Sequence, residues 1–306
     1  MLSRIAESFY WIGRYTERAE ATTRLLVEHH QLIVEDTRVP SEVGASVLLR
    51  ALGMSGADSG QLSPRGLVTT VIGVKEDPST IVGAVSAARE NARSVRDAVP
   101  GDLFEALNNL RNLATGGAVH TDIPGVGLRR VLDGLAAAGG IAQWVNPRDE
   151  SHLFMELGSA LERIDMMGRV LEIRHDAMWP EGGPATALRA VGAFASFLRS
   201  GAAPTGSAVR EYLVLDDAFP RSMLQCARKA EQCVRDLERH GVSAESSALT
   251  RTVGLLRSSL EYAAQRPTPD VVSTLAEQAL AAGFAAGGHV SDAFFRQAGT
   301  VDWSLG

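Results

Sequence analysis

An internal repeat restricts the folding of this chain more than any other property of its sequence. When the sequence is aligned with itself at an offset of 145 residues, two segments share the pattern G-x-x-x-E-R-x-acidic-x-x-x-R-x-L. The first copy contains Gly13, Glu17, Arg18, Glu20, Arg24 and Leu26, and the second contains Gly158, Glu162, Arg163, Asp165, Arg169 and Leu171. Self-similarity of this kind is typical of a chain built from two copies of one structural module.

The apolar residues around each copy follow the period of an α-helix. They recur at steps of three, four or seven, which gathers them on one side of a helix. In the first copy they are Phe9, Ile12, Ala19 and Leu26, and in the second they are Phe154, Leu157, Ile164 and Leu171. Only 6% of the residues are aromatic, whereas alanine, leucine, arginine and glutamate, which favour helices, are abundant. We therefore expect an all-α fold whose first helix covers about Ser3 to Glu35.

A second match extends the repeat at the slightly different offset of 142 residues. It aligns residues 77–81 with residues 219–223 and brings Arg93 onto Arg235. A short deletion in a loop would produce such a change of offset. The second matched helix should therefore occur in both copies.

These two matches predict the domain organisation. We expect a helical bundle built from two pseudo-repeated halves, about 1–145 and 146–306, packed about an approximate two-fold axis. Because both matched helices occur in each half, the halves should share one core. Residues 1–306 would then form a single unit.

Capping residues and glycine pairs predict the ends of further helices. The predicted starts are Asp77-Pro78, Asp102 with Glu105, Gly125, and Asp149-Glu150 after Asn146-Pro147. The first three of these helices are predicted to end at Val99, Gly116-Gly117 and Gly139-Gly140. Two short apolar runs, Val71 to Val74 and Tyr212 to Leu215, are the segments predicted to be extended.

The charge balance argues against one class of function. The chain has 36 acidic and 30 basic side chains and a formal net charge of −6, whereas general nucleic-acid binders carry a basic surplus. No stretch approaches the length of uncharged apolar sequence that crosses a bilayer. The two cysteines, Cys226 and Cys233, match no zinc or redox motif. We expect a cytoplasmic protein that binds neither nucleic acid nor a membrane.

The repeated Glu-Arg pairs are the main candidate site. Three interpretations are open: a solvated charged face, an ion-pair network buried between the two motif helices, or a ligand pocket. A solvent-facing stripe has little reason to repeat its charge order at the same helical phase, which favours the buried network. The planar fork of arginine suits either a network or a pocket, since it holds a carboxylate or phosphate with two hydrogen bonds. The candidate residues are Arg14, Glu17, Arg18, Arg24, Glu162, Arg163, Asp165 and Arg169.

Arginines of the second matched helices extend this candidate site. Arg93 lies in a stripe with other arginines, and Arg221 stands between Pro220 and Ser222. We place Arg221 and Ser222 in the first turn of a helix, where free N–H groups and the macrodipole favour an anion. The segment would bind a phosphate or carboxylate, or it would cap the neighbouring Glu-Arg helix; we favour the cap.

Signatures of catalysis and metal binding are weak. The sequence contains neither a G-x-S-x-G motif nor a phosphate-binding P-loop. Glu172 and His175 have the spacing of di-iron bundles, but His30, which aligns with His175, has no glutamate three residues before it. We therefore expect no metal and no cofactor, assign no catalytic residue, and favour a non-catalytic role.

Together, these motifs resemble those of the alpha-E family, bacterial proteins named for an all-helical fold and a Glu-Arg motif. The matching segments are YWIGRYTERAE (10–20), ARENAR (88–93) with VR (95–96), LERID (161–165) and PRS (220–222). They span nearly the whole chain. Two segments depart from the family pattern. Ser159 stands where the family usually keeps Arg or Asn, so the second helix lacks an equivalent of Arg14, and Gly53–Gly66 is longer and less patterned than in the family.

The resemblance implies a cytoplasmic protein encoded beside, or fused to, a circularly permuted ATP-grasp ligase and a transglutaminase-like protease. Such neighbours suggest a system that makes and cleaves amide or peptide bonds. Because this chain carries no ATP-grasp portion, the ligase would be a partner. The expected function is a non-catalytic helical partner, or a substrate-holding subunit, of that ligase. The alternative is an enzyme acting on an acidic peptide or small molecule held by the arginines, with Glu17 or Glu162 moving a proton.

Overall fold

The computed structural model describes residues 3–36, 38–54, 63–116, 119, 124–241 and 247–295. These residues form helices joined by turns and loops, with no strand among them. In chain order the helices are α1 (Ser3–Glu35), α2 (Ser41–Ala51), α3 (Pro64–Ile72), α4 (Ile81–Ser94), α5 (Gly101–Thr115), α6 (Pro124–Val145), α7 (Glu150–Glu172), α8 (His175–Met178), α9 (Gly183–Ala190), α10 (Phe194–Leu198), α11 (Gly206–Leu215), α12 (Met223–Arg239), α13 (Ser247–Ala264) and α14 (Pro269–Val290), and a π-helix (Ser291–Phe295) follows. The all-α prediction is confirmed.

The two helices that carry the repeat, α1 and α7, lie at the centre of the fold and pack extensively on each other. Their apolar stripes are buried, as the periodicity predicted; Phe9, Ile12, Phe154 and Leu157 are inaccessible to solvent. α1 also packs on α4, and α7 packs on α12 and α14. The buried apolar side chains form a cluster that extends from Ala6 to Phe294.

Several helix ends agree with the sequence. α1 covers Ser3–Glu35, the range that the periodicity predicted. The carboxylate of Asp149 accepts hydrogen bonds from the backbone N–H groups of Ser151 and His152, at 3.0 and 3.3 Å, and so caps α7 as expected. α5 ends at Thr115, directly before Gly116.

The predicted start at Asp77 is wrong, because Thr80 caps α4. The Thr80 hydroxyl accepts from the backbone N–H of Gly83 at 3.1 Å. Asp77 instead accepts from the backbone N–H and the hydroxyl of Ser79, at 2.9 and 2.6 Å, which closes a turn before the helix. α4 also ends at Ser94, before the predicted Val99.

Three further predictions of local structure are wrong. Pro100 precedes α5 without any side-chain cap, so Asp102 lies in the first turn as a charge and not as a capping-box member. Gly139-Gly140 does not end α6, which continues to Val145. The apolar run from Tyr212 to Leu215 forms the last turn of α11, and Val71 and Ile72 end α3 before Gly73 and Val74 leave the helix. An apolar run this short does not distinguish a strand from a buried helix end.

Two predicted regions lie partly outside the described residues. The segment from Gly53 to Gly66 includes residues 55–62, and the second half of the repeat includes residues 242–246 and 296–306, none of which the structure describes. Within the part of the chain that is described, no helix combines the length and the apolar character needed to cross a bilayer.

Candidate functional site

The backbones of α1 and α7 touch where the two copies of the repeat begin. A Cβ atom on Gly13 would overlap the carbonyl oxygen of Met155, and one on Gly158 would overlap that of Tyr10. Each glutamate of the motif lies four residues beyond its glycine, one turn along the same helix. The close approach therefore brings the charged end of each Glu-Arg motif to the opposite helix.

Glu162 of α7 is inaccessible to solvent and binds two arginines of α1. Arg14 donates a hydrogen bond from Nε to Glu162 Oε2. Arg18 donates from Nε to Oε1 at 2.5 Å and from Nη2 to Oε2 at 3.1 Å. Arg14 also donates to the hydroxyl of Tyr10 at 3.0 Å. Both oxygens of this buried carboxylate are therefore satisfied by cationic donors.

Glu17 of α1, the equivalent of Glu162, exposes 7% of its surface and is also bound by two arginines. Arg163 Nε of α7 lies 2.8 Å from Glu17 Oε2. Arg221, which precedes α12, donates to Glu17 Oε1 and also to both oxygens of Glu20, with 2.8 Å between Nη1 and Glu20 Oε1. Arg24 donates from Nε to Glu20 Oε1 at 2.7 Å. Arg221 thus supplies on the Glu17 side the second cation that Arg14 supplies to Glu162.

These eight residues are called the Glu-Arg network below: Arg14, Glu17, Arg18, Glu20, Arg24, Glu162, Arg163 and Arg221. The two copies of the motif bind each other, since Arg18 pairs with Glu162 and Arg163 pairs with Glu17. This geometry is that of an ion-pair network buried between the two motif helices.

The electrostatics keep the carboxylates of Glu162 and Glu20 ionised. Burial alone would raise the pKa of Glu162, but the charges of Arg14 and Arg18 and their hydrogen bonds lower it below its ordinary value. For Glu20, burial is likewise overcome by Arg221 and Arg24, which lower the pKa to about 2. Neither group has the pKa near neutrality that a general base needs.

The remaining predicted residues lie at the edge of the network or outside it. Asp165 and Arg169 pair with each other at 3.2 Å, one turn apart on α7. Arg169 also donates to the backbone carbonyl of Ala51 at 3.3 Å. Arg93 is mostly exposed and pairs with Glu90 on α4, so it takes no part in the network.

The Pro-Arg-Ser segment differs from its predicted placement. Ser222 is the N-cap of α12: its hydroxyl accepts from the backbone N–H of Gln225 at 3.1 Å and donates to the carbonyl of Asp216 at 2.6 Å. Arg221 therefore lies before the helix and not in its first turn. It binds the side chains of Glu17 and Glu20 in the middle of α1, so it does not cap the end of that helix.

A buried histidine pair was missed at the sequence level. The repeat aligns His30 with His175, but His29 is the partner: the Nε2 atoms of His29 and His175 lie 3.0 Å apart. Burial lowers the pKa of His29 to about 4 and that of His175 to about 3. Helical periodicity could have indicated the burial of His29, because it lies three residues after the buried Leu26 on the same face of α1. Among the described residues, no group of three or more His, Cys, Asp or Glu side chains is placed to hold a metal.

A second ion-pair cluster, between α12 and α13, was also missed. Glu231 exposes little of its surface and pairs with Arg257 at 2.6 Å and with Arg235 at 2.9 Å. Glu261 pairs with Arg228 at 2.8 Å. The spacing of Glu231 and Arg235 by one helical turn could have predicted the pair within α12. No sequence pattern indicated the contacts between α12 and α13.

A cavity of about 490 Å³ lies beside the Glu17 side of the network. α1, α5, α6 and α7 form its walls, and the segment before α12 contributes Phe219, Pro220 and Arg221 to the lining. Its apolar wall includes Ile12, Leu103, Leu107 and Leu135. Charged and polar lining groups come from Thr16, Glu17, Glu20, Gln143, Glu156, Ser159, Arg163 and Arg221. The cavity is therefore apolar on one side and charged on the other, a combination typical of small-molecule sites.

Comparison with known proteins gives one family and a few distant relatives. A family model described as a predicted alpha-helical domain with a conserved ER motif matches residues 1–295. An uncharacterized protein of Mycobacterium bovis and one of Mycobacterium tuberculosis are each 24% identical over 267 residues, which cover 76% of this chain and 30% of each relative. The chain thus spans less than a third of the length of these relatives. No solved structure matches it.

Proposed function

We propose, from the premise that this chain belongs to the alpha-E family, that it is a non-catalytic helical partner or substrate-holding subunit of an ATP-grasp ligase that forms peptide or amide bonds. The proposal extends to a cytoplasmic location and to a transglutaminase-like protein as a second partner. The substrate would lie in the cavity beside the Glu-Arg network.

The main support for this proposal is that arginines in the interior neutralise each carboxylate of the repeated motif. Glu162 is held by Arg14 and Arg18, and Glu17 by Arg163 and Arg221. Because both oxygens of Glu162 accept charged donors, this carboxylate has little capacity to take a proton from a substrate. The motif is better suited to fixing α1 against α7, which shapes the wall of the cavity.

The contacts of the repeat also support the proposed symmetry and the single unit. The glycine contact and the crossed Glu-Arg pairs are reciprocal between α1 and α7. We infer that the two halves are related by an approximate two-fold axis at this crossing and share one core. Arg221 breaks the symmetry. The residue equivalent to Arg14 in the second copy is Ser159, so Arg221 supplies the second cation to Glu17 instead.

The relatives are compatible with a multi-component system. The region similar to this chain makes up 30% of each mycobacterial protein, so the remainder of those chains consists of other sequence. We propose that this protein, too, acts together with other domains or chains. The ligase is the partner to test first.

Co-purification tests the proposal. The tagged chain, expressed together with an ATP-grasp ligase from the same genome, should retain that ligase on an affinity column. The purified chain should also change the rate at which the ligase releases phosphate from ATP. A ligase that neither binds the chain nor changes its rate would contradict the proposal.

The variant Glu17→Gln separates this role from the enzyme alternative. Neutralising a structural Glu17 removes the ion-pair partner of Arg163 and one of the two carboxylates that bind Arg221, so the melting temperature should fall. The matched control is Glu105→Gln, because Glu105 is exposed on α5. A variant that keeps its melting temperature while losing a turnover carried out by the chain alone would favour the enzyme.

A further inference from the structure

The cavity beside the network lies over tightly packed apolar side chains. Ile12 and Leu107 are inaccessible to solvent, and Leu103 and Leu135 expose only 2% and 6% of their surfaces, so they form a closed apolar base. The volume of about 490 Å³ lies within the range of roughly 300–1,000 Å³ found for sites that bind small ligands. It is large enough for one or two amino-acid residues, but not for a folded segment.

Two glycines keep one side of this cavity open. Gly139 and Gly140 line it from the interior of α6, and a Cβ atom on either would meet no atom within 4 Å. Glycine is among the least favourable residues inside a helix, and no packing contact of the described residues requires it here. Their absent side chains leave space for an occupant.

Arg163 offers a cation with unused donors at the charged side. Its Nε is buried and lies 2.8 Å from Glu17 Oε2, but it is not aligned for a hydrogen bond. None of its terminal nitrogens donates to another residue in the described part of the chain, and a third of the side chain is exposed. A guanidinium in this state can bind a carboxylate with two parallel hydrogen bonds.

The carboxylates that line the cavity are already paired: Glu20 with Arg24 and Arg221, and Glu156 with Lys229 at 3.0 Å. Arg163 and Arg221 belong to the lining, whereas Arg24 and Lys229 pair with Glu20 and Glu156 from outside it. Each lining carboxylate thus has a cationic partner, which leaves the terminal nitrogens of Arg163 for a further anion.

Two hydroxyl groups distinguish a peptide from other carboxylates. Thr16 donates to the carbonyl of Ile12 at 2.7 Å, and Ser159 donates to that of Gly13 at 3.3 Å. Each hydroxyl oxygen therefore keeps its acceptor capacity for another donor. Peptide N–H groups would use these acceptors, whereas a fatty acid has no donor to offer them.

We propose that this cavity binds the C-terminal end of a peptide, with the terminal carboxylate on Arg163 and an apolar last side chain in the space left open at Gly139 and Gly140. The inference rests on the substrate-holding role proposed above and gives it a substrate class. It concerns binding by this chain alone, so it is tested without the ligase.

The test is isothermal titration calorimetry of the full chain with two acetylated tripeptides, Ala-Ala-Leu as the free acid and the same sequence as the C-terminal amide. The acid should bind, and the amide should bind at least about tenfold more weakly because it loses the charged hydrogen bonds to Arg163. Decanoate is the third ligand and should bind more weakly than the peptide acid.

Variants locate the binding site. Gly139→Leu and Gly140→Leu place a side chain in the open space of the cavity and should abolish binding of the acid, while the melting temperature stays equal or rises. Gly288→Leu is the matched control, because Gly288 also lies in a helix with no atom within 4 Å of its Cβ position, but on α14 outside the cavity. It should bind the acid as the unaltered protein does.

Four results would overturn the inference: no binding of the acid at about 1 mM, equal binding of acid and amide, tighter binding of decanoate, or full binding by Gly139→Leu and Gly140→Leu. Retention of the ligase on the affinity column would be unaffected by any of them. Failure of the peptide assignment is therefore distinguishable from failure of the proposed partnership.

Discussion

Gly13 and Gly158 occupy equivalent positions in the repeat, and each packs against the backbone of the other's helix. The obstacle to a side chain is the carbonyl oxygen of Met155 for Gly13 and of Tyr10 for Gly158, each located three residues before the opposite glycine. Because backbone within a helix cannot move independently, this contact explains why glycine begins both copies of the motif. It also sets the distance over which the arginines reach the opposite carboxylates.

Gly158→Ala should therefore destabilise the protein. Overpacking of a tight interior typically costs about 1–3 kcal/mol, and here the overlapping atom is a helical carbonyl, so we expect the upper part of that range. Urea denaturation measures the change in the free energy of unfolding. Gly288→Ala is the control: no atom lies near its Cβ position, and alanine is the better helix former by about 1 kcal/mol, so stability should rise. Equal effects of both substitutions would contradict the close contact.

Glu162→Gln should destabilise the protein by about 3–5 kcal/mol, because it leaves the charges of Arg14 and Arg18 without their buried counter-charge. Chemical denaturation at neutral pH gives the value. Glu105→Gln, at an exposed position on α5, should change stability by less than about 0.5 kcal/mol. A loss of under about 1 kcal/mol for Glu162→Gln would show that the pairs contribute no more than surface ion pairs do.

The sequence was informative where a pattern repeats over several turns. The limits of α1 follow from an apolar stripe that continues over the whole helix, and the start of α7 follows from Asp149 placed directly before that stripe. The pairing of the two Glu-Arg motifs followed from their recurrence at the same helical phase. These signals average over many residues, so a single local preference does not reverse them.

Single-residue signals were less reliable because tertiary contacts decide between local alternatives. Asp77 is a good capping residue, yet Thr80 caps α4 and Asp77 closes the preceding turn. Gly139-Gly140 is unfavourable in a helix, but α6 is long enough to continue through it. The positions of Arg221 and His175 beside α1 depend on the path of the chain between distant helices, which no local pattern records.

The histidine pair predicts a pH dependence above the range in which carboxylates titrate. Burial lowers the pKa of His29 to about 4 and that of His175 to about 3, whereas both groups titrate near 6.5 in the unfolded chain. The unfolded state thus binds more protons below that value, so stability is complete above about pH 6.5 and falls as the pH decreases towards 4. The loss at about pH 5 should be roughly 2 kcal/mol for each histidine.

Denaturation at several pH values between about 7 and 5 measures this slope. The double variant His29→Gln/His175→Gln should lose most of the slope even if its stability at neutral pH is lower. His240→Gln is the control, because His240 is exposed after α12, and it should keep the slope. An unchanged slope in the double variant would assign the pH dependence to other groups.

The two cysteines should be unreactive in the folded protein. Cys226 and Cys233 each expose 2% of their surface, and burial raises both pKa values to about 12. The thiolate is the reactive form, so a disulfide reagent at about pH 8 should modify neither residue in the native state and both after addition of denaturant. Rapid modification of the native protein would show that α12 opens locally.

Arg221→Lys tests whether the network depends on geometry as well as on charge. Arg221 bridges Glu17 and Glu20 with three donated hydrogen bonds, and a lysine ammonium cannot reproduce the planar fork that reaches both carboxylates. Although the charge is kept, we expect a loss of about 1.5–3 kcal/mol in the free energy of unfolding, the range for hydrogen bonds to charged groups. Arg239→Lys is the control, because Arg239 is exposed and pairs with Asp236, one turn away on α12; it should change stability by less than about 0.5 kcal/mol. If both lysine variants are equally stable, charge alone would hold the segment before α12 against α1. The cavity lined by that segment would then not depend on the orientation of the Arg221 guanidinium.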